Sequence, residues 1–293
     1  MPLFYKKNSN TLMKKWLLHL IPFIIIIFSI SSCFRLRISD KEAFKLYGNL
    51  PYDFQIHRYK IGGNHTIRYL EIGRDTQPVV VFLHGGLGTG AGFKPYLSDT
   101  TLLNHFKIIV PDRYGHGYSD FGKTEVSVQK QADYLVPILK LARYKGSKTI
   151  LVGHSYGGTI AARLAMDHPD LIDHLVLSAP AIDPKNEKRF WFNKPLDCWA
   201  IKWAMPQNFI IANDEKLAHA NECLKMESDW YKITTPTVYL HGKNDDVVPF
   251  VNIEFAKKHL VNAPVDYIVK DSLPHIFFMK QPQILRGIIL DIK

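Results

Sequence analysis

Apolar residues in this chain come in two rhythms, and from residue 78 onwards the rhythms alternate. Short runs rich in β-branched residues occur at 78–83, 106–110, 149–152, 171–177, 237–240 and 265–269. Runs of this length, bounded by turn-forming residues, read as strands buried on both faces, the environment of a parallel sheet. Two earlier segments, 54–61 and 65–72, alternate apolar with polar residues and are joined by Gly62-Gly63-Asn64, a hairpin signal. Helical spacing fills the gaps between runs. Ala132, Leu135, Val136, Leu139 and Ala142 put a helix at 126–144, which Pro137 should bend. Residues 159–165 and 277–290 read as further helices. The alternation predicts an α/β fold with eight strands in one mostly parallel sheet and helices on its faces.

From Ala181 to about residue 235 the alternation stops. This stretch is aromatic, with Phe190, Trp191, Phe192, Trp199, Trp203, Phe209, Trp230 and Tyr231. Most of these rings are expected to form a small core of their own. The body therefore divides into 50–180 and 237–293, with 181–236 inserted after the sixth strand.

Charge changes the picture at the start of the chain. The formal net charge is +10, and Lys6, Lys7, Lys14 and Lys15 lie in the first 32 residues, which hold no acid. Those lysines precede an apolar run, 16–30, ending in Ile30-Ser31-Ser32-Cys33. A basic start, an apolar middle and small residues before a cut site make a secretory signal. The ending resembles a bacterial lipobox, which implies a signal peptide at 1–32, a lipid on Cys33 and a tether at 33–49. An uncleaved apolar anchor is the alternative, although Pro22 and His19 interrupt the run. Either reading puts the body in the cell envelope, attached to a membrane and outside the cytoplasm. No basic stripe with interleaved aromatics supports nucleic-acid binding. Among three cysteines there is no C-x-x-C or His/Cys cluster for a metal, and Gly85-Gly86-Leu87-Gly88 lacks the lysine of a phosphate loop.

The candidate chemistry sits at strand ends. The run at 149–152 breaks at Gly153-His154-Ser155-Tyr156-Gly157 and a helix follows. The glycines relieve crowding on a sharp turn, so that the Ser155 hydroxyl projects alone at a helix N-terminus. The run at 78–83 ends in His84-Gly85-Gly86, and the fourth ends in Pro111-Asp112-Arg113-Tyr114-Gly115-His116-Gly117. His84 and His116 read as loop structure. After 237–240 comes His241-Gly242-Lys243-Asn244-Asp245-Asp246-Val247-Val248-Pro249, and after 265–269 comes Pro274-His275.

His-Gly-Gly after the third strand, the Asp-Arg loop, Gly-x-Ser-x-Gly between strand and helix and Gly-x-x-Asp-x-x-Val-Pro, in this order, resemble the α/β hydrolases. That resemblance spans about 50–292. It implies a nucleophile at Ser155, a base at His275 and an orienting acid at Asp245, with Asp246 as the neighbouring alternative. It also implies an oxyanion hole from the backbone N–H groups of Gly86 and Tyr156, a helical cap at 181–236, and no cofactor or metal. The implied reaction is hydrolysis of a small-molecule ester or amide through an acyl-enzyme, a carboxylester first. A proline-iminopeptidase-like aminopeptidase is the second reading. Leu87 departs from that group's His-Gly-Gly-Pro-Gly, and the amine would need one of the cap carboxylates Glu187, Asp197, Asp214, Glu215, Glu222 or Glu227. A binding protein that has lost catalysis is the third. Cys198 and Cys223, both in the cap, are candidates for a disulfide in an oxidising compartment.

Overall fold

The computed structural model describes residues 37–144 and 148–292. The leader and Cys33 lie outside the described residues. Among the described residues no helix is long and apolar enough to cross a membrane.

The eight strands form one sheet in the order β1-β2-β4-β3-β5-β6-β7-β8. They are β1 (Phe54–Ile61), β2 (His65–Ile72), β3 (Val79–Leu83), β4 (Lys107–Pro111), β5 (Thr149–His154), β6 (His174–Ser178), β7 (Thr237–Gly242) and β8 (Val265–Lys270). β2 runs antiparallel to β1 and β4, and every other pairing is parallel. β3 lies between β4 and β5, so the chain winds away from it in both directions. Loops leaving the C-terminal ends of strands part at such a reversal and open a crevice.

Among the helices are α1 (Asp40–Tyr47), α2 (Val128–Tyr144), α3 (Tyr156–Asp167), α4 (Trp199–Ala204), α5 (Gln207–Met226), α6 (Asn252–His259), α7 (Phe277–Lys280) and α8 (Pro282–Asp291), with further short α- and 3-10 helices between them. Successive strand residues point to opposite faces. Val79, Val81, Leu83, Leu151 and Leu175 pack with α2, α3 and α6, whereas Val80, Phe82, Ile150, Val152 and Val176 pack with α1, α7 and α8. The central runs are apolar throughout because both of their faces are covered.

Three expectations are corrected. The tether is not all tether, since α1 carries a complete capping box between Ser39 and Glu42 and buries Ala43 and Tyr47. The Ser-x-x-Glu spacing was its signal. The last helix is two helices broken at Gln281 (φ −134°, ψ 57°), because the residue before Pro282 is pushed out of helical geometry. The insertion's aromatics do not mostly form a core: Trp191, Trp199 and Trp203 are more than four-fifths exposed, and only Trp230 is fully buried.

Candidate active site

Ser155 sits between β5 and α3 with φ 56° and ψ −124°, a strained conformation for a residue with a side chain. Its N–H donates to the Ser178 carbonyl at 3.0 Å, and its carbonyl accepts from Gly158 at 2.9 Å and Ala181 at 3.2 Å. The turn is thus held from the end of β6. Gly157 is required here, because a Cβ on it would meet the Leu83 carbonyl oxygen at 2.3 Å. Tyr156 opens α3, so its N–H has no acceptor within the helix and stands at the positive end of the helix dipole.

Two loops come together beside this turn. Gly242 lies against the loop after β8 so closely that a Cβ would meet the Leu273 carbonyl oxygen at 1.9 Å. That approach sets His275 Nδ1 2.7 Å from Asp245 Oδ2. The other Asp245 oxygen accepts the amides of Val247 and Val248 at 2.9 and 2.8 Å. Burial pushes the Asp245 carboxyl up, but hydrogen bonds from His241 and His275 and the charge of His275 outweigh it, holding the group well below the usual carboxylate range. His241 Nε2, fully buried, lies 3.4 Å from Asp245 Oδ2. The His275 ring packs on that of His154, the residue before Ser155, with centroids 4.8 Å apart. No hydrogen bond joins the Ser155 hydroxyl to His275 among the described residues. Nucleophile–base contacts are commonly long before substrate engages.

The His84-Gly85-Gly86 loop faces Ser155: a Cβ on Gly85 would lie 3.3 Å from its Oγ. The carbonyls of this loop are tied down from below. Arg113 Nε donates to His84 O and Nη2 to Gly85 O, both at 3.0 Å, and His116 Nε2 contacts Gly86 O at 2.7 Å. In a trans peptide the N–H points opposite the carbonyl, so the bond to Gly85 O turns the Gly86 N–H away from Arg113. His84 Nε2 accepts the Arg113 amide at 2.9 Å. Burial first, then the charges of Arg113 and His116, hold His84 far below its ordinary pKa, as a neutral loop residue should be.

The insertion reaches this loop. Glu215, on α5 and 1% exposed, makes a two-pronged pair with Arg113 at 2.7 and 3.1 Å and accepts from Gln131 Nε2 at 3.0 Å. Burial opposes the Glu215 charge, but Arg113 and His116 outweigh it and hold the carboxyl below its ordinary range. The α5 residue His219 packs against the Tyr156 ring with centroids 4.8 Å apart and the planes tilted by 37°. Sequence reasoning left Glu215 among six equivalent acids and missed His241 and Gln131, for which no motif exists. The expected Cys198–Cys223 disulfide is not made: both thiols are free, Cys198 exposed at the start of α4 and Cys223 buried with Sγ 3.5 Å from His219 Nε2. No group of three or more metal-ligating side chains is assembled among the described residues.

Residues 78–200 match the family model described as the alpha/beta hydrolase fold. That span holds β3 to β6, the elbow and the loops at His84–Gly86 and Asp112–Gly117, and ends before Asp245 and His275. This is an α/β-hydrolase fold. The hydrolase of 2-hydroxy-6-oxo-6-(2'-aminophenyl)hexa-2,4-dienoic acid from Metapseudomonas resinovorans is 27% identical over 236 residues, 70% of this chain and 79% of that protein. Among solved structures, Est816, an N-acyl homoserine lactone degrading enzyme, superposes with a TM-score of 0.64 at 20% identity, covering 81% of this chain and all of that one. A bacterial membrane phospholipase A superposes at 0.59 and 19% identity, covering 97% and 98%. At these identities the superpositions carry the hydrolase fold alone, while the sequence relatives support hydrolase activity as the broad class.

Proposed function

We propose that the chain is a serine hydrolase acting on carboxylic esters. The contact that carries the reading is His275 Nδ1 to Asp245 Oδ2 at 2.7 Å, beside an elbow that strains Ser155. With Nδ1–H donated to the carboxylate, the Nε2 lone pair is free to accept the Ser155 proton as Oγ attacks the ester carbonyl. The oxyanion that forms is stabilised by the N–H groups of Gly86 and Tyr156, each worth about 3–4 kcal/mol in such a site. His275 then protonates the departing alcohol, and water, deprotonated by the same nitrogen, releases the acid.

Acting on free N-termini is the weaker reading, because the cap carboxylates that would hold an amine are engaged. Glu187 pairs with Lys216 and His219, Asp197 and Asp214 with Lys202, Glu215 with Arg113, and Glu222 with Lys225. Glu227 faces His259 at 3.8 Å. Ser155→Ala is expected to remove fluorophosphonate labelling and lower kcat on p-nitrophenyl acetate roughly a million-fold. Equal labelling of parent and variant, or turnover of proline p-nitroanilide in preference to the ester, overturns the reading.

In the same proposal residues 181–236 act as the cap, and Cys33 carries a lipid that holds the body at the envelope membrane. Fatty-acid labelling that survives Cys33→Ala refutes the anchor without touching the chemistry.

A further inference from the structure

Helix α4 has the sequence Trp199-Ala-Ile-Lys-Trp-Ala204, and none of its six residues is buried. Trp199 and Trp203 stand one turn apart on the same face, 81% and 88% exposed, and Trp191 is 86% exposed on the preceding segment. Phe192 and Ile201 are exposed beside them. Three indoles at this exposure present roughly 500 Å² of aromatic surface, at the upper end of what a monomer leaves in water. The flanking charge is positive on balance: residues 185–202 hold Lys185, Lys188, Arg189, Lys194 and Lys202 against Glu187 and Asp197, a net charge of +3, with Glu187 paired to Lys216 and His219 and Asp197 to Lys202. Exposed indoles on a segment of net positive charge match the boundary between acyl chains and anionic headgroups.

The place of this patch in the molecule says which surface it meets. The described chain begins at Arg37, whose guanidinium lies 3.9 Å from the Phe121 ring centroid and 5.2 Å from that of Tyr118. A few residues on, Thr124 Oγ1 donates to Asp214 at 3.3 Å, and Asp214 pairs at 2.8 Å with Lys202, between the two α4 tryptophans. Four contacts thus link the point where residues 1–36 join the body to the patch. A lipid on Cys33 would sit within about 14 Å of Arg37.

We propose that Trp191, Trp199 and Trp203 form a membrane-docking face that seats the cap in an anionic headgroup layer. The seated cap turns the crevice at Ser155 toward lipid, so acyl esters carried in the membrane reach it without crossing water. The substrate clause rests on the ester-hydrolase reading, and the closeness of the anchor rests on lipidation of Cys33. The docking face itself rests on the exposed indoles and the positive balance of charge beside them.

The test uses the full-length chain with Trp16→Phe, reconstituted in phosphatidylglycerol–phosphatidylethanolamine vesicles. Trp191, Trp199, Trp203 and Trp230 then remain, and Trp230, 1% exposed, serves as the internal standard. Brominated acyl chains are expected to quench roughly half or more of the emission, because three of the four reporters face lipid. Combined Trp191→Ser, Trp199→Ser and Trp203→Ser removes the quenched component. It raises KM for a vesicle-borne ester about tenfold and leaves kcat/KM for p-nitrophenyl acetate unchanged. Equal emission in brominated and plain vesicles overturns the proposal. So does protection of these tryptophans from acrylamide that follows protein concentration rather than lipid, which assigns the face to a second copy. Protection independent of both assigns it to residues 1–36 and overturns it equally. If the parent cleaves neither ester, the functional reading fails while the quenching result still decides the docking face.

Discussion

Ser155 holds a backbone geometry that few residues with side chains tolerate, and its neighbours explain why it persists. Strain of this kind costs on the order of 1–3 kcal/mol and survives only where surrounding contacts over-determine it. Here the bonds from Ser155 to Ser178, Gly158 and Ala181 do so. Two adjacent aspartates differ sharply at the same scale. Asp245 meets His275, His241 and two amides, whereas Asp246 has its carbonyl, not its carboxylate, contacted by Lys188. Asp245→Asn is expected to lower kcat roughly ten-thousand-fold by stabilising the wrong imidazole tautomer, and Asp246→Asn to stay within about threefold of the parent. Steady-state kinetics on p-nitrophenyl acetate decide it, and comparable losses in both variants would reject the assignment.

At the scale of elements, the His84–Gly86 loop, proposed to hold the oxyanion, is positioned by a residue outside the proposed catalytic set. Arg113 holds two carbonyls of the His84–Gly86 loop with one edge of its guanidinium and receives Glu215 of α5 on the other. A lysine offers no planar fork, so Arg113→Lys is expected to lower kcat about a hundred-fold with little change in KM. A rise in KM alone would show that the fork serves substrate binding. α1 is held by a different device. Ser39→Ala removes half of its capping box and should cost about 1 kcal/mol, read as a lower urea midpoint with an unchanged slope. An unchanged midpoint would mean that α1 contributes nothing to the cooperative unit.

Over the whole molecule, the buried ion pairs set the response to acid. Asp245 and Glu215 both have folded-state pKa values below their unfolded ones. The folded chain therefore binds fewer protons, and the stability they contribute is complete above about pH 4.3 and is lost as pH falls through the folded values. Urea midpoints should fall on acidification below that point. Glu215→Gln keeps the shape but leaves Arg113 unpaired, with a cost of about 3–5 kcal/mol at neutral pH and a shallower acid limb. Parallel acid limbs in parent and variant would show that Glu215 is not a source of the pH dependence.

How much of this was legible in the chain follows from which interactions are local. The rhythm of apolar residues determined eight strands, their order of use and the elbow, because periodicity and turn chemistry are written within a few residues. The Gly-x-Ser-x-Gly turn and the acid and histidine at strand ends were legible for the same reason, and even α1 was written in Ser39 and Glu42. The partners of Arg113 were not, because Glu215 lies 102 residues away and nothing in its neighbourhood separates it from five other acids. The fate of the aromatics in the insertion was decided the same way. Their sequence says only that they are apolar; whether each finds a core or faces outward depends on surfaces supplied by distant segments, and among the described residues Trp191, Trp199 and Trp203 stay largely exposed. The cysteines divide likewise, since α5 buries Cys223 beside His219 while Cys198 stays in solvent.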